Sequence, residues 1–415
     1  MRILWFTSSP CGYTSNSTGY NGVGWMVAIE QEIKKQSDIE LGVCFPMDGQ
    51  PRYKEVDGVH YYPIRSHNKS LRDKLLDAIL PTHAERDMAV WPQYLEQMQS
   101  VIEDFKPDVI EVFGSELYIQ LGALVSGEIP TILHIQGLLS LYLYVYHPYG
   151  VSPMSNILQD WFPLKMYGRF QQWVQWKRSC FREAEILKHV KHVIGRTNWD
   201  QAGAYILAPQ AQYHYGGEML RQPFYNHHNR IIPERLTIVT TSSGALYKGF
   251  DFVLKVANIL KNCMHIDFEW RVFGNVVPTF FEKVTEVSHE NVNVKLLGVA
   301  SAEQLCDEIC NATLYFQPSY IENSPNSLCE AQILGVTPIA TNVGGTSSIV
   351  EDGETGILVP AGEPYYAAYQ IVKLYHNKTL NIHIGEKAKV CAQKRHDRKE
   401  IITQLIETYK QLMPH

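Results

Sequence analysis

The sequence predicts an α/β protein made of two doubly wound domains, and two observations carry that expectation. The chain has 415 residues, which at about 150 residues per domain suits two or three units. Along most of that length, short apolar runs alternate with helical patterns. The runs lack period-two alternation, as expected of parallel strands buried on both faces between layers of helices. Hydrophobic residues make up 45% of the chain and charged residues 19%. That composition supports sizeable cores and excludes a disordered chain.

In the first half, strands are expected at Arg2–Phe6, Ile39–Phe45, Asp108–Phe113, Pro130–Ile135 and His192–Gly195. In the second half they are expected at Leu236–Thr240, Asp267–Phe273, Val292–Leu297, Thr313–Phe316 and Thr337–Ala340. Helical faces are read from Trp25, Met26, Ile29 and Ile33, and from Val253, Val256, Ile259 and Leu260. Ser327–Leu334 reads as a helix with Asn326 or Ser327 as its N-cap. A last helix at Lys399–Leu412 carries one apolar stripe through Ile401, Ile402, Leu405, Ile406, Tyr409 and Leu412. The rhythm breaks between Pro209 and Arg235, a stretch rich in Gln, Tyr, His, Asn and Pro, whose later part reads as the linker. The division is therefore placed at 1–225 and 226–396, with the terminal helix at 397–413.

Several function classes fall away on composition. Lys and Arg number 37 against 43 Asp and Glu, a formal charge of −6, and a non-specific nucleic-acid binder needs a basic face. The eight cysteines are scattered without a C-x-x-C pair, so a reduced, cytoplasmic setting is expected. The apolar run Ile3–Phe6 is too short for a signal-peptide core, and no stretch is long and apolar enough to span a membrane. The pair His227-His228 lacks metal-ligand spacing. Gly19-x-x-Gly22-x-Gly24 reverses the spacing of a dinucleotide fingerprint. Neither a metal nor a redox cofactor is expected.

The chemistry concentrates in loops that follow strands. Glu322 lies in the loop after Thr313–Phe316, and Glu330 about one turn into the next helix. Two carboxylates offset along one wall of a cleft can accept hydrogen bonds from the hydroxyl pairs of a ribose or a hexose. The helix start between them favours a phosphate. After Leu236–Thr240 comes Ser242-Ser243-Gly244, then Lys248-Gly249. A lysine beside a glycine turn at a strand end can neutralise a diphosphate leaving group.

From Pro318 to Pro360 the chain carries Glu322-x7-Glu330, then Gly335-Val336-Thr337-Pro338-Ile339-Ala340, then Gly344-Gly345. This stretch closely resembles the donor-binding signature of retaining glycosyltransferases of family 4, and of its bacterial capsule and polysaccharide members. That resemblance implies the GT-B fold: two Rossmann-like domains facing a central cleft, with the last helix crossing back to the first. It implies that Glu330 binds the ribose, that Glu322 holds a hydroxyl of the donor sugar, and that Asn323, Ser324, Asn326 and Ser327 present the loop to sugar and diphosphate. Lys248-Gly249-x-Asp251 resembles the family's phosphate element, with Ser242 and Ser243 beside it. The family usually carries an arginine about five residues earlier, where this chain has Ser242-Ser243-Gly244. Hydroxyls and amides would then substitute, or Arg196 or Arg271 would approach.

In the first half, Gly22 and Gly24 resemble the family's glycine loop near the donor phosphates, and His134 its active-site histidine. Glu116, Gln136 and Arg196 are candidates on the acceptor side. No Asp-x-Asp occurs, which disfavours the metal-dependent transferase architecture. The implied reaction moves a sugar from a nucleotide-sugar to an acceptor hydroxyl with retention and without metal. The acceptor would be a glycan or a lipid-linked glycan. The aromatic and basic stretch 140–180, with Tyr144, Trp161, Trp173 and Trp176, reads either as a helix packed on its own domain or as a peripheral contact with the inner face of a membrane. Two alternatives stay open. A nucleotide-sugar epimerase on the same fold would need added carboxylates, and Glu111 and Glu116 are the obvious pair. The other is a non-catalytic sugar-nucleotide or glycan-binding protein.

Overall fold

The computed structural model describes residues 1–13, 24–66, 84–147, 149–158, 162–226 and 230–413. Gly22, Trp161 and the pair His227-His228 lie outside the described residues. Two sheets organise the chain. The first contains β1 (Arg2–Phe6), β2 (Glu40–Met47), β3 (Lys54–Val56), β4 (Val59–Arg65), β5 (Val109–Phe113), β6 (Thr131–His134), β7 (His192–Gly195) and β8 (Gln212–Tyr215), in the order β3-β4-β2-β1-β5-β6-β7-β8. The second contains β9 (Leu236–Thr241), β10 (Phe268–Phe273), β11 (Val294–Gly298), β12 (Leu314–Gln317), β13 (Pro338–Thr341) and β14 (Ile357–Val359), in the order β11-β10-β9-β12-β13-β14. Every pairing is parallel except the β3–β4 hairpin.

All ten expected strands are present within about two residues at each end, and four strands were not anticipated. The β3–β4 hairpin is short and half exposed, with burial patterns that leave Lys54 and Glu55 in solvent. Its residues lack the continuous apolar run of a central strand. β8 is an edge strand of Gln, Tyr, His and Tyr that buries little, so its composition read as loop. The segment between the two sheets is therefore 216–235. β14 lies in the Gly356–Pro360 stretch, too short to register as a strand.

The helices follow from amphipathic patterns. They include α1 (Gly24–Ile33), α2 (Trp91–Phe105), α3 (Pro163–His189), α4 (Asn198–Leu207), α5 (Phe250–Asn258), α6 (Ala302–Cys310), α7 (Asn326–Ile333), α8 (Pro364–His376), α9 (Lys378–Arg395) and α10 (Arg398–Leu412). The expected faces are the buried ones: Trp25, Met26, Ile29 and Ile33 on α1, and Val253 and Val256 on α5. Asp397 caps α10 by accepting from the Glu400 amide at 2.9 Å. Ile401, Ile402, Leu405, Tyr409 and Leu412 then pack into the core of the first sheet beside Trp5, Phe113 and Ile194. The last helix therefore returns to the domain in which the chain began. Its stripe is apolar because it completes that core rather than covering the second sheet.

Strand order also places the site. In each sheet the first strand sits centrally and the chain winds away from it in both directions. The crevices lie where those directions diverge, at the carboxyl ends of β1 and β5 and of β9 and β12. The loops there carry Gly114–Glu116, Ser242–Lys248 and Pro318–Ser327.

Candidate active site

Between the domains lies a cavity of about 1650 Å³, larger than the roughly 300–1,000 Å³ that serve one small ligand. Its second-domain wall includes Ser242, Ser243, Lys248, Glu322, Ser324, Asn326, Ser327 and Glu330. Its first-domain wall includes Gly24, Glu116, Gln136 and Arg196. Most of the residues singled out in the sequence therefore meet at one place. His134 and Asn323 do not line the cavity, for reasons given below.

Lys248 ends a short turn, Leu246–Lys248, and Gly249 follows in the left-handed region at φ 72°. A Cβ at Gly249 would overlap the Pro318 carbonyl, so glycine lets the lysine turn lie against the loop that carries Glu322. The Tyr320 amide donates to the Tyr247 carbonyl at 2.7 Å and ties the two loops together. Lys248 Nζ donates to Glu322 Oε1 at 2.6 Å. Ser319 Oγ and Gln317 Nε2 donate to the same oxygen at 2.7 and 3.2 Å. These bonds converge on Oε1 and leave Oε2 as an acceptor for a ligand hydroxyl. Burial alone would lower the Lys248 ammonium pKa, but the Glu322 carboxylate outweighs it and holds it above the usual lysine value. Lys248 is thus cationic and lines the same cavity as the start of α7.

The N-cap of α7 is Pro325, not Asn326 or Ser327, and no side chain caps the helix. The proline side chain has no acceptor atom to offer the first amides, and the two polar residues fall one and two positions inside the helix. Ser327 Oγ instead accepts from Tyr315 Oη at 2.8 Å. The first amides of α7 are consequently not taken up by a side-chain cap, which suits an anionic ligand at this end.

Glu330 lies about one turn into α7 and is buried. Arg221 donates to both of its oxygens, Nε to Oε1 and Nη2 to Oε2, each at 2.7 Å. Burial raises the Glu330 carboxyl above the usual range, Arg221 opposes that rise, and the neighbouring charge of Glu218 adds to it. Arg221 was not singled out in the sequence. Its partner is 109 residues away, and nothing local marks it. The two candidate second cations divide. Arg271 donates to Glu269 at 2.5 Å and to Glu308 at 2.8 Å and does not line the cavity. Arg196 does line it and pairs with Glu218 at 3.2 Å.

On the first-domain side, His134 ends β6 but is enclosed. Its ring packs against Trp25 and Phe113, at 5.1 and 5.4 Å between centroids. Nδ1 meets Glu111 Oε1 at 2.8 Å, and Nε2 meets Arg196 Nη1 at 3.2 Å. A guanidinium only donates, so Nε2 accepts and Nδ1 carries the proton toward Glu111. Arg196 and Trp25 stand between His134 and the cavity, and Glu111 bonds Tyr409 on its other oxygen. Glu111 is itself fully buried and faces the core. Glu116 does line the cavity. Burial, with Glu183 nearby, pushes its carboxyl up to about 7 against the pull of backbone amides and Arg182.

Asn323 sits behind the wall as a bridge between domains. Thr197 Oγ1 donates to Asn323 Oδ1 at 2.6 Å, and Asn323 Nδ2 donates to the Gln136 carbonyl at 3.1 Å. Ser324 Oγ reaches Glu218 at 3.2 Å, and the Asn198 amide reaches Ser348 at 3.0 Å. The loop that carries Glu322 therefore also fastens the two walls together.

Comparison with known proteins agrees with this layout. Residues 223–390 match the family model described as Glycosyl transferases group 1, which takes in the second sheet and most of the helices around it. The chain is 30% identical over 153 residues to D-inositol 3-phosphate glycosyltransferase of Paenarthrobacter aurescens, covering 35% of this chain and 37% of that one. The chain spans no more than about half the length of the first curated relatives it matches. Structural likeness runs further. Sucrose-phosphate synthase from Thermosynechococcus elongatus superposes with a TM-score of 0.71 at 15% identity over 99% of both chains. Anabaena HepE in complex with UDP-glucose superposes with a TM-score of 0.65 at 17% identity, over 99% of this chain and 100% of that one. The fold is the two-domain GT-B arrangement.

Proposed function

We propose that the protein is a retaining, metal-independent glycosyltransferase that moves a sugar from a nucleotide-sugar to an acceptor hydroxyl, in polysaccharide or glycolipid biosynthesis. The observation that carries this reading is the convergence of Lys248, Glu322, Glu330 and the uncapped start of α7 on one cavity. The resemblance of the Glu322–Glu330 segment to family 4 supports it, as does the match to Glycosyl transferases group 1.

In this reading the ribose lies at Glu330, the diphosphate at the α7 amides, Ser242, Ser243 and Lys248, and the sugar at Glu322. The bond between the sugar C1 and the phosphate oxygen breaks, and its electron pair goes to that oxygen. Lys248 stabilises the resulting charge. The acceptor hydroxyl attacks C1 on the face the phosphate leaves, and its proton passes to the departing phosphate oxygen. The acceptor approaches along Glu116, Gln136 and Arg196. His134 acts from behind by fixing Arg196, rather than by touching the sugar. Interdomain bonds through Asn323 tie the two walls together beside the cavity, and closure of the domains around a donor would exclude water. With Glu111 turned into the core, the carboxylate pair that an epimerase would need is not assembled in the cavity.

The protein incubated with UDP-, GDP-, ADP- and dTDP-sugars in excess chelator is the direct test, with products followed by proton NMR. One donor is expected to be consumed with an anomer of the starting configuration. Inverted product, or turnover that stops with chelation, would refute the retaining, metal-free mechanism. Loss of all turnover, with or without chelator, would refute the enzyme reading.

The peripheral membrane contact rests on the stretch 140–180. Tyr144, Tyr149, Met154, Phe162 and Leu164 are 87%, 61%, 60%, 58% and 74% exposed. Tyr146, Trp173 and Trp176 instead pack on one another and toward Tyr247. An exposed apolar group beside a cavity mouth with Lys165 and Arg169 suits an anionic bilayer that presents a lipid-linked acceptor. No helix among the described residues is long and apolar enough to cross a membrane. Co-sedimentation with phosphatidylglycerol vesicles is expected for the wild type. It should be largely lost in Tyr144→Glu/Leu164→Glu, and equal sedimentation of both would dismiss the contact.

A further inference from the structure

We propose that Arg221, in the segment joining the two sheets, is the positioning residue of the ribose site, and that through Glu330 it makes the protein select ribonucleotides over 2′-deoxyribonucleotides. This deepens the glycosyl-transfer reading and rests on it. The geometry supplies the argument. Arg221 approaches the Glu330 carboxylate edge-on through Nε and Nη2, at 2.7 Å on each oxygen. A carboxylate offers about four acceptor positions, so this fork uses one on each oxygen and leaves one on each. The fork takes the inner lone pair of each oxygen, and the outer pairs, which diverge, leave each oxygen able to accept one hydroxyl from outside the fork. The Glu330 side chain is 2% exposed and that of Arg221 is 21% exposed, and both line the cavity.

Arg221 sets three properties of that carboxylate. It fixes the plane, because a guanidinium fork tolerates little rotation. The guanidinium is itself held over the Phe224 ring, 4.9 Å from its centroid. It opposes the rise that burial and Glu218 impose on the carboxyl, and so favours the ionised form that accepts on both oxygens. It also ties the ribose site to the interdomain segment, since Arg221 stands between β8 and β9. A lysine at this position would supply the charge without the fork.

The test uses the full chain and titrates, by calorimetry, whichever of UDP, GDP and ADP binds best, together with its 2′-deoxy counterpart. The wild type is expected to prefer the ribonucleotide by about tenfold or more, the size of a hydrogen bond to a charged group. Arg221→Ala is expected to lose most of that preference by weakening the ribonucleotide alone. Its ribonucleotide affinity should also fall as pH is lowered, because burial and Glu218 raise the Glu330 carboxyl and Arg221 no longer opposes them. Arg221→Lys should recover the wild-type pH profile better than the preference. Melting curves without ligand monitor folding separately. A preference that survives in Arg221→Ala, or an equal loss for both nucleotides, would overturn the proposal and leave Arg221 a structural residue. A wild type that binds ribo- and deoxyribonucleotides alike would overturn it as well. If no nucleoside diphosphate bound the wild type, the transfer reading itself would fail, an outcome distinct from the others.

Discussion

Replacing Lys248 with alanine is expected to lower turnover of the nucleotide-sugar by about 10²–10³-fold, the range seen when one preorganised donor is removed from developing negative charge. The effect should fall mainly on kcat. On the proposed reading, ground-state binding also draws on the α7 amides and on Glu330, which the substitution leaves in place, whereas the charge on the departing phosphate oxygen appears only in the transition state. The fold should survive. Glu322 Oε1 keeps Ser319 and Gln317 as donors, and the Lys248 side chain is already 23% exposed. Lys248→Arg should recover part of the loss, because charge is what the site demands there. Rates measured at saturating donor, with melting curves alongside, check this. A kcat within about threefold of wild type in Lys248→Ala would show that the leaving group is stabilised elsewhere.

The second large effect is expected from Gly344→Ala, a single methyl placed on no catalytic residue. Gly344 has φ 52°, and a Cβ there would overlap the Glu322 carbonyl oxygen. That same oxygen accepts from the Gly345 amide at 2.9 Å, so the two glycines form the bed on which the Glu322 loop lies. The added methyl has backbone as its obstacle and cannot be accommodated by a side-chain rotation. It must push the loop away, and Glu322, Asn323 and Ser324 move with it. Backbone strain of this kind costs about 1–3 kcal/mol. Displacing a positioning group by about 1 Å can cost about 100-fold in rate. Gly353→Ala is the matched control. Its φ is 79°, but a Cβ there meets nothing within 4 Å. It should lose about 1 kcal/mol from left-handed strain alone and keep full turnover. Urea melts and rates on the two variants separate strain from displacement. Equal turnover in both would show that the Glu322 loop does not depend on the glycine bed.

The contrast between these two glycines shows what the sequence can and cannot reveal. The pair Gly344-Gly345 stood out because it closes a dense motif, while nothing in the sequence separates its steric constraint from that of Gly353 a few residues later. Only the backbone path tells which one touches the donor loop. The same division runs through the site. Lys248, Glu322 and Glu330 were legible because each lies in a loop or helix start directly after a strand, where the order of the strands alone makes a crevice. Arg221 was not, because its role is defined by a partner more than a hundred residues away. His134 was legible as a strand-end histidine. That it faces Glu111 and the C-terminal helix depends on a packing direction that one strand cannot specify. Among the elements, the buried parallel strands declared themselves through continuous apolar runs. The β3–β4 hairpin and β8 bury too little to leave such a run.

Equilibrium titration of UDP, GDP and ADP into the wild type, Lys248→Ala and Glu330→Gln tests the central claim most directly. At least one nucleoside diphosphate should bind the wild type and bind both variants about tenfold or more weakly: Glu330→Gln loses a charge-assisted contact, and in Lys248→Ala the free diphosphate already carries the charge that the intact donor develops only in the transition state. An affinity unchanged in both variants, or no binding to the wild type, would contradict the assignment of this cavity as a nucleotide-sugar site.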